Sequence, residues 1–181
     1  MSTTADRDNS GSSRLKYLGI TALVLACDQL SKLWAAGALK DRDIEVIPGF
    51  FSLSYTENRG IAFGMLGDGD VRWLLVAVSS AATAIVVYYM MKTPSGNRLL
   101  LWSLALLAAG ICGNLVDRVR MGSVIDFILF YYRTYHWPVF NIADTSITIG
   151  AVLMALDLFL SPQPEKATAV ERNERPIEDE L

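Results

Sequence analysis

The chain has 181 residues, one domain at roughly 150 residues per domain. Of these 52% are apolar and 19% charged, below the ~25% charged residues of soluble domains. The formal net charge of −3 comes from residues 161–181, with six acids and three bases; residues 1–160 carry thirteen of each, which leaves no basic footprint for nucleic acid. The lone histidine, His136, and the two cysteines, Cys27 and Cys112, exclude a multi-histidine metal site, a Cys₄ zinc site and a disulfide scaffold. A Ser/His/Asp triad would have to use that one ring.

Residues 1–14 are rich in Ser, Thr, Asp and Asn, without apolar period, and read as a disordered tail. The first apolar block runs from about Leu15 to Leu39, long enough to cross a hydrocarbon layer of ~30 Å as a helix. Lys16 followed by YLGITALVLAC resembles a signal sequence whose lipobox cysteine would be Cys27. Against cleavage there, the apolar stretch resumes after Lys32 and three more blocks follow. Cys27 and Cys112 are expected as small buried packing residues. Asp28 and Lys32 stand at i and i+4 on one helix face, acid first, the favourable order for an ion pair. They either pin the first helix to its neighbours or buttress a site.

The stretch Ile44 to Asn58, IEVIPGFFSLSYTEN, mixes β-branched and aromatic residues and is broken by Pro48-Gly49. It predicts short strands. A second apolar block follows at about Val71 to Met91, with Arg72 at its edge, then a tight turn over 92–98 and a third block at about Leu99 to Val116. Gly110 and Gly113 would let another helix come close. In GNLVDR, Asn114, Asp117 and Arg118 fall at i, i+3 and i+4. They form either an interfacial cap with an internal Asp117–Arg118 pair or a supporting network.

Val124 to Tyr132, VIDFILFYY, is again strand-like and aromatic. Asp126 within it is either a turn acid facing water or a desolvated carboxyl with a raised pKa. His136, with Trp73, Trp102 and Trp137, reads as interfacial. The fourth block, about Val139 to Leu160, opens with Asn141 and Asp144, extended by Thr145 and Thr148. Asp144 lies about five residues in, ~7–8 Å at 1.5 Å per residue, just below an interface. It has no basic neighbour within four residues on its helix; the alternative is a capping acid. Asp157, near the other end, reads as an interfacial charge. Residues 161–181, with three prolines among charges, read as a disordered acidic tail.

Four continuous apolar blocks predict a membrane all-α protein of four transmembrane helices, because backbone amides in lipid must be satisfied within the segment. The first and third connections then share one side, and both tails share the other with the second. Basic residues number eight on the tail side and seven opposite, so charge favours cytoplasmic tails by a single residue. Ionisable groups inside spans cost ~2.5–3.5 kcal/mol each at mid-helix, which makes them candidates for function. Asp126 and Asp144 are eighteen residues apart, and the long third connection allows them to converge. Two close carboxylates share a proton, the ionised one serving as base on a water and the protonated one as acid on a carbonyl. A small four-span carrier using Asp28, Asp144 and Asp157 is the competing class, and it would place its acids near the midplane. A scaffold without chemistry would leave Asp144 unexplained.

With these residues in place, the chain resembles the bacterial lipoprotein signal peptidases (signal peptidase II, the aspartic prolipoprotein peptidases) from about Leu15 to Leu160. The motifs are Asp28-Gln29-x-x-Lys32, Asn58-Arg59-Gly60-Ile61-Ala62-Phe63, Gly113-Asn114-x-x-Asp117-Arg118, Val124-Ile125-Asp126-Phe127 and Phe140-Asn141-x-Ala143-Asp144. Each is weak alone; five in order on a four-span frame are specific. Ala109-Gly110 stands where the family often has a glycine pair, a change expected to loosen helix contact slightly.

The resemblance implies a catalytic dyad of Asp126 and Asp144. Substrate-binding or supporting positions fall on Asp28, Lys32, Asn58, Gly60, Asn114, Asp117, Arg118, Asn141 and Ala143. It implies four transmembrane helices with a small periplasmic β-cradle, here within the 40–70 connection, and a short interfacial helix. It implies no metal and no cofactor. The expected partners are diacylglyceryl-modified prolipoproteins, cut just before the lipidated cysteine, membrane lipid and globomycin-type inhibitors. The expected protein is a monomeric, multi-pass inner-membrane enzyme with both termini cytoplasmic and an active site facing the outer leaflet.

Overall fold

The computed structural model describes residues 4–60 and 71–160, with side chains from residue 14 onward. Four long helices, α1 (Thr4–Ala38), α2 (Val71–Lys92), α3 (Arg98–Met121) and α4 (Ile142–Leu160), are each long and apolar enough to span a membrane. Strands β1 (Ile44–Ile47), β2 (Phe51–Asn58), β3 (Val124–Tyr132) and β4 (Tyr135–His136) form one antiparallel run in that order.

The helices match the four apolar blocks, with differences at the ends. Residues 4–14, expected as disordered tail, continue α1 instead. No proline interrupts that stretch, and extending an existing helix costs far less than nucleating one. α3 runs five residues past Val116, because Asp117 finds partners inside the protein rather than ending the helix. It stops at Gly122, whose φ of 80° is left-handed and whose N–H returns to the Arg118 carbonyl, a glycine C-cap. The 161–181 tail, the Ile61-Ala62-Phe63 motif and the rest of the first connection lie outside the described residues. The expected interfacial helix is not among the described elements.

The packing is inside-out relative to a soluble bundle. α3 is the central helix, with half of its most apolar window buried, against 6% for α2. Leu23, Trp73, Ile85 and Phe159 point outward, as lipid-facing positions do. Close packing in the centre depends on glycine. A Cβ on Gly110 would strike the carbonyl of Ala143 and come within 2.6 Å of Ile147 Cγ1, and one on Gly113 would meet Asp28 Oδ2 at 2.5 Å. The site elements therefore pack on α3 through two missing side chains. Ala109, fully buried, is accommodated.

Hydroxyls join the helices by bonding carbonyls across the interface: Ser103 to Gly150 at 2.8 Å and Ser146 to Leu106 at 2.7 Å. Cys27 and Cys112 depart from the expected burial. Cys27 is exposed and Cys112 half-buried, since an outward position in a span meets lipid and suits a small apolar side chain.

The sheet covers one end of the bundle. Both strand-like stretches form strands, but the cradle is not confined to the first connection. β2 pairs with β3 of the third connection, Thr56 opposite Asp126. At the β1–β2 hairpin, Pro48-Gly49 makes a tight turn in which the Phe50 N–H bonds the Ile47 carbonyl at 3.0 Å and Gly49 takes φ 74°, as turns with Pro then Gly require. Beneath the sheet, Ala35, Leu39, Ile125 and Phe127 make a small buried cluster. It fixes β3 against the end of α1.

Candidate active site

β3 carries Asp126, whose side chain is 2% exposed. Its Oδ1 accepts from Asn141 Nδ2 at 2.7 Å and its Oδ2 from Asn58 Nδ2 at 3.1 Å. Burial pushes the carboxyl up to about 6; the neighbouring Asp144 pushes the same way, while the Asn58 and Asn141 bonds and the charge of Lys32 oppose it. The desolvated alternative is thus the one observed.

Asp144 is the third residue of α4 and is half-buried. Its N–H donates to Asn141 Oδ1 at 2.8 Å, while its Oδ2 accepts from the Asn141 N–H at 3.3 Å. This reciprocal pair is a capping box built from Asn and Asp. One oxygen therefore does cap the helix; the other, Oδ1, accepts from Asn114 Nδ2 of α3 at 2.8 Å. Asn141 bonds both acids and brings them into one network. Both lie at the sheet end of the bundle, not in mid-span.

Two adjoining grooves reach them. Asp126 lines one of about 510 Å³, with Asn58, Arg59, Pro138 and Val139. Asp144 lines one of about 300 Å³, walled by Trp137, Phe140 and Ile149. Residues 137–140 run between them, with Pro138 and Val139 on the Asp126 side and Trp137 and Phe140 on the Asp144 side.

The remaining expected residues surround this pair. Gly60, with φ 76°, donates its N–H to Asn58 Oδ1 at 2.8 Å, which leaves the Asn58 NH₂ to face Asp126. A Cβ on Gly60 would come within 2.5 Å of Leu75 Cδ1. Ala143 is fully buried, and its N–H donates to Asp28 Oδ1 at 2.8 Å.

Asp28 and Lys32 form the expected i, i+4 ion pair at 2.9 Å. Lys32 Nζ also lies 2.8 Å from Asp117 Oδ2 and 3.0 Å from Asn114 Oδ1, so all three of its donors are used. Asp117 Oδ2 in turn accepts the Ile125 N–H at 3.4 Å.

The internal Asp117–Arg118 pair is not formed, because Lys32 from α1 takes Asp117 in the buried interior. Arg118 is half-buried, with Nη1 3.5 Å from the Asn114 carbonyl and Nε without a hydrogen-bond partner. Asp157 accepts from Asn97 Nδ2 at 3.4 Å, at the far end of α3. His136 is exposed and stacked on Tyr131 at 5.6 Å between centroids. Among the described residues no cluster of His, Cys, Asp and Glu is arranged to hold a metal ion.

Two participants carried no assigned role in the sequence: Gln29, which stands in the first motif, and Arg72. Gln29 Nε2 donates to Asp28 Oδ2, the Gly113 carbonyl and Asp117 Oδ1 at 3.0–3.2 Å; the signal was an amide beside an acid within a span. Arg72, read as an edge charge, bonds the Arg118 and Val119 carbonyls at 2.9 and 2.7 Å. It satisfies the C-terminal end of α3, where a cation is favoured.

Comparison with known proteins gives concordant results. The sequence profile of the signal peptidase (SPase) II family matches residues 20–160. A lipoprotein signal peptidase of Symbiobacterium thermophilum is 46% identical over 144 residues, 79% of this chain and 92% of the relative. One from Pseudomonas aeruginosa is 41% identical over 158 residues, 85% of this chain and 94% of the relative. Two solved structures, each described as a bacterial membrane enzyme determined by the in meso method, superpose with TM-scores of 0.70 and 0.72 at 32% and 33% identity. They cover 93% and 84% of this chain, and 95% of their own chains in both cases.

Proposed function

The chain belongs to the signal peptidase II family of aspartic peptidases, and from that premise we propose that Asp126 and Asp144 are its catalytic dyad. As a family member it is a multi-pass bacterial membrane enzyme that processes the signal peptides of prolipoproteins. The finer reading is that it cuts the peptide bond just before a cysteine bearing a diacylglyceryl thioether. The observation that carries the dyad is Asn141, which hydrogen-bonds Asp126 through its side chain and Asp144 through its backbone N–H and amide oxygen.

In this mechanism the pair holds one proton between two carboxyls. The ionised member takes a proton from a water positioned between them; the protonated member donates to the scissile carbonyl. The tetrahedral intermediate then collapses as the leaving nitrogen is protonated, with no covalent enzyme intermediate. The two acids titrate as a coupled unit. Asn58, Asn114 and Asn141 aim N–H donors at the carboxylates and fix their orientation. Arg118 has donor capacity to spare and serves the substrate backbone.

The grooves suit such a substrate. Acyl chains keep the modified cysteine at the membrane surface, and the apolar groove beside Asp144 opens where the fourth helix begins. Placement of both acids at one end of the bundle favours hydrolysis over transport, which wants charges near the midplane. The sheet end faces the outer leaflet, both termini are cytoplasmic, and the working unit is a monomer. The test is incubation of the purified protein with a precursor carrying the diacylglyceryl group and with the unmodified precursor. Shortening of the modified one alone is expected; cleavage of both, or of neither, overturns the reading.

A further inference from the structure

Both acids are approached from behind in the same way. The residue before Asp126 is Ile125, whose N–H donates to Asp117 Oδ2 at 3.4 Å. The residue before Asp144 is Ala143, whose N–H donates to Asp28 Oδ1 at 2.8 Å. A buried carboxylate thus grips the backbone one residue ahead of each candidate acid, one from α3 and the other from α1. Lys32 Nζ lies between those carboxylates, 2.9 Å from Asp28 and 2.8 Å from Asp117. Its third donor reaches Asn114 Oδ1 at 3.0 Å.

From this arrangement we infer that Lys32 is a positioning residue for hydrolysis: it sets the spacing of the two backbone segments that bear the acids and the orientation of the amide that faces Asp144. The inference rests on the dyad reading above.

Two physical points support it. Carboxylates from adjacent helices, both nearly inaccessible, repel strongly at low dielectric. Without the ammonium they would separate, and each backbone N–H they hold would shift with them. The amide of Asn114 has two possible orientations. Lys32 has no acceptor, so it can face only Oδ1; together with Asn141 Nδ2, which donates to the same oxygen at 3.3 Å, it turns Nδ2 toward Asp144 Oδ1 at 2.8 Å. A flipped amide would set oxygen against oxygen there. The tripod also demands a compact ammonium; a planar guanidinium offers a fork of a different shape.

The site is compact on every side. Asp28 Oδ2 sits against Gly113, where a Cβ would come within 2.5 Å. Gln29 braces both carboxylates from the remaining side. Lys32, 2% exposed, touches neither groove.

The test uses the full chain reconstituted in lipid vesicles, with kcat and KM for a diacylglyceryl-modified precursor measured per folded molecule. Lys32→Met keeps the length and apolar stem. Asp28→Asn/Lys32→Met removes one stranded charge while keeping an acceptor for Ala143, and it provides a folded test if the single variant is unstable. A kcat reduced about 100-fold, the scale of an ångström-sized misplacement, with KM within about twofold, is expected for either, and no rescue by Lys32→Arg.

Wild-type kcat per folded molecule in either variant overturns the inference, as does activity lost only in step with folded protein. Asp126→Asn and Asp144→Asn run alongside. Turnover near the wild-type rate by either sinks the dyad itself, whereas two crippled dyad variants beside a fully active Lys32→Met sink only the role of Lys32.

Discussion

Asn141 Nδ2 lies 2.7 Å from Asp126 Oδ1, a short bond to a carboxylate that sits across a strand-to-helix connection from it. The same residue caps α4 and accepts the Asp144 N–H. One side chain therefore joins the strand that holds the first acid to the helix that holds the second.

That double duty is separable by mutation. Asn141→Ser keeps a hydroxyl acceptor for the helix N-terminus but loses the donor to Asp126. Asn141→Ala loses both. Both variants strand buried acceptors that Asn141 Nδ2 now serves, and loss of an N-cap costs about 1 kcal/mol more, so thermal unfolding in detergent should show a lower Tm for both and the larger drop for Asn141→Ala. Peptidase activity should fall at least tenfold in both. A fully active serine variant would show that the bond to Asp126 is dispensable.

The acids themselves should be indispensable for turnover and not for folding. Asp126→Asn and Asp144→Asn preserve size and shape and should each reduce cleavage of a lipidated precursor by about 10²–10⁴-fold, the range for general acid–base groups. Circular dichroism should show unchanged helix content.

Stability should depend on pH through Asp126. Its folded carboxyl is pushed up to about 6 by burial, from an ordinary value of 3.8. The folded protein therefore holds this proton more tightly than the unfolded chain does. The resulting stabilisation is fully present below about pH 4 and is lost as pH rises through 6. In unfolding titrations from pH 4 to 7, Asp126→Asn should show a weaker fall in stability with rising pH than the wild type. Identical slopes would mean that Asp126 does not carry the proton.

Gly110→Val should be damaging, because the added carbons meet the Ala143 carbonyl and the Ile147 side chain. Overpacking of this kind costs about 1–3 kcal/mol, and it would push the start of α4, with Asp144, away from α3. A lower Tm together with reduced turnover is expected. Gly19→Ala is the control, since no atom lies within 4 Å of the position its Cβ would take.

Inhibition offers an independent check. Globomycin should abolish cleavage, whereas EDTA should leave the rate unchanged. Loss of activity on chelation, restored by a divalent ion, would contradict the two-carboxylate mechanism.

The sequence makes the spans visible because lipid imposes a coarse rule: about twenty apolar residues per crossing. The polar residues within the spans stand out for the same reason, and Asp28, Lys32, Asn114, Asp117, Asn141 and Asp144 do join one connected network. Pairing was harder to see. Lys32 lies four residues from Asp28, so that bond is local and readable. Its bond to Asp117 depends on how α1 packs against α3, and no local pattern encodes that. The same limit hid the sheet that unites the first and third connections. Each strand is legible from alternation and β-branching, but the partner of β3 is 70 residues earlier and is fixed only by the shared end of the bundle. Arg72 escaped because a cation beside a span resembles any interfacial charge until the carbonyls it meets are known.

The contacts that build the centre come from opposite ends of the polypeptide. Asp28 holds Ala143 across 115 residues, and β3 depends on β2 for its edge. A nascent chain that has threaded only three helices into the bilayer lacks α4, and with it Asp144, Asn141 and the grip on Asp28. On the proposed dyad, the site is therefore complete only once α4 is in place beside α1.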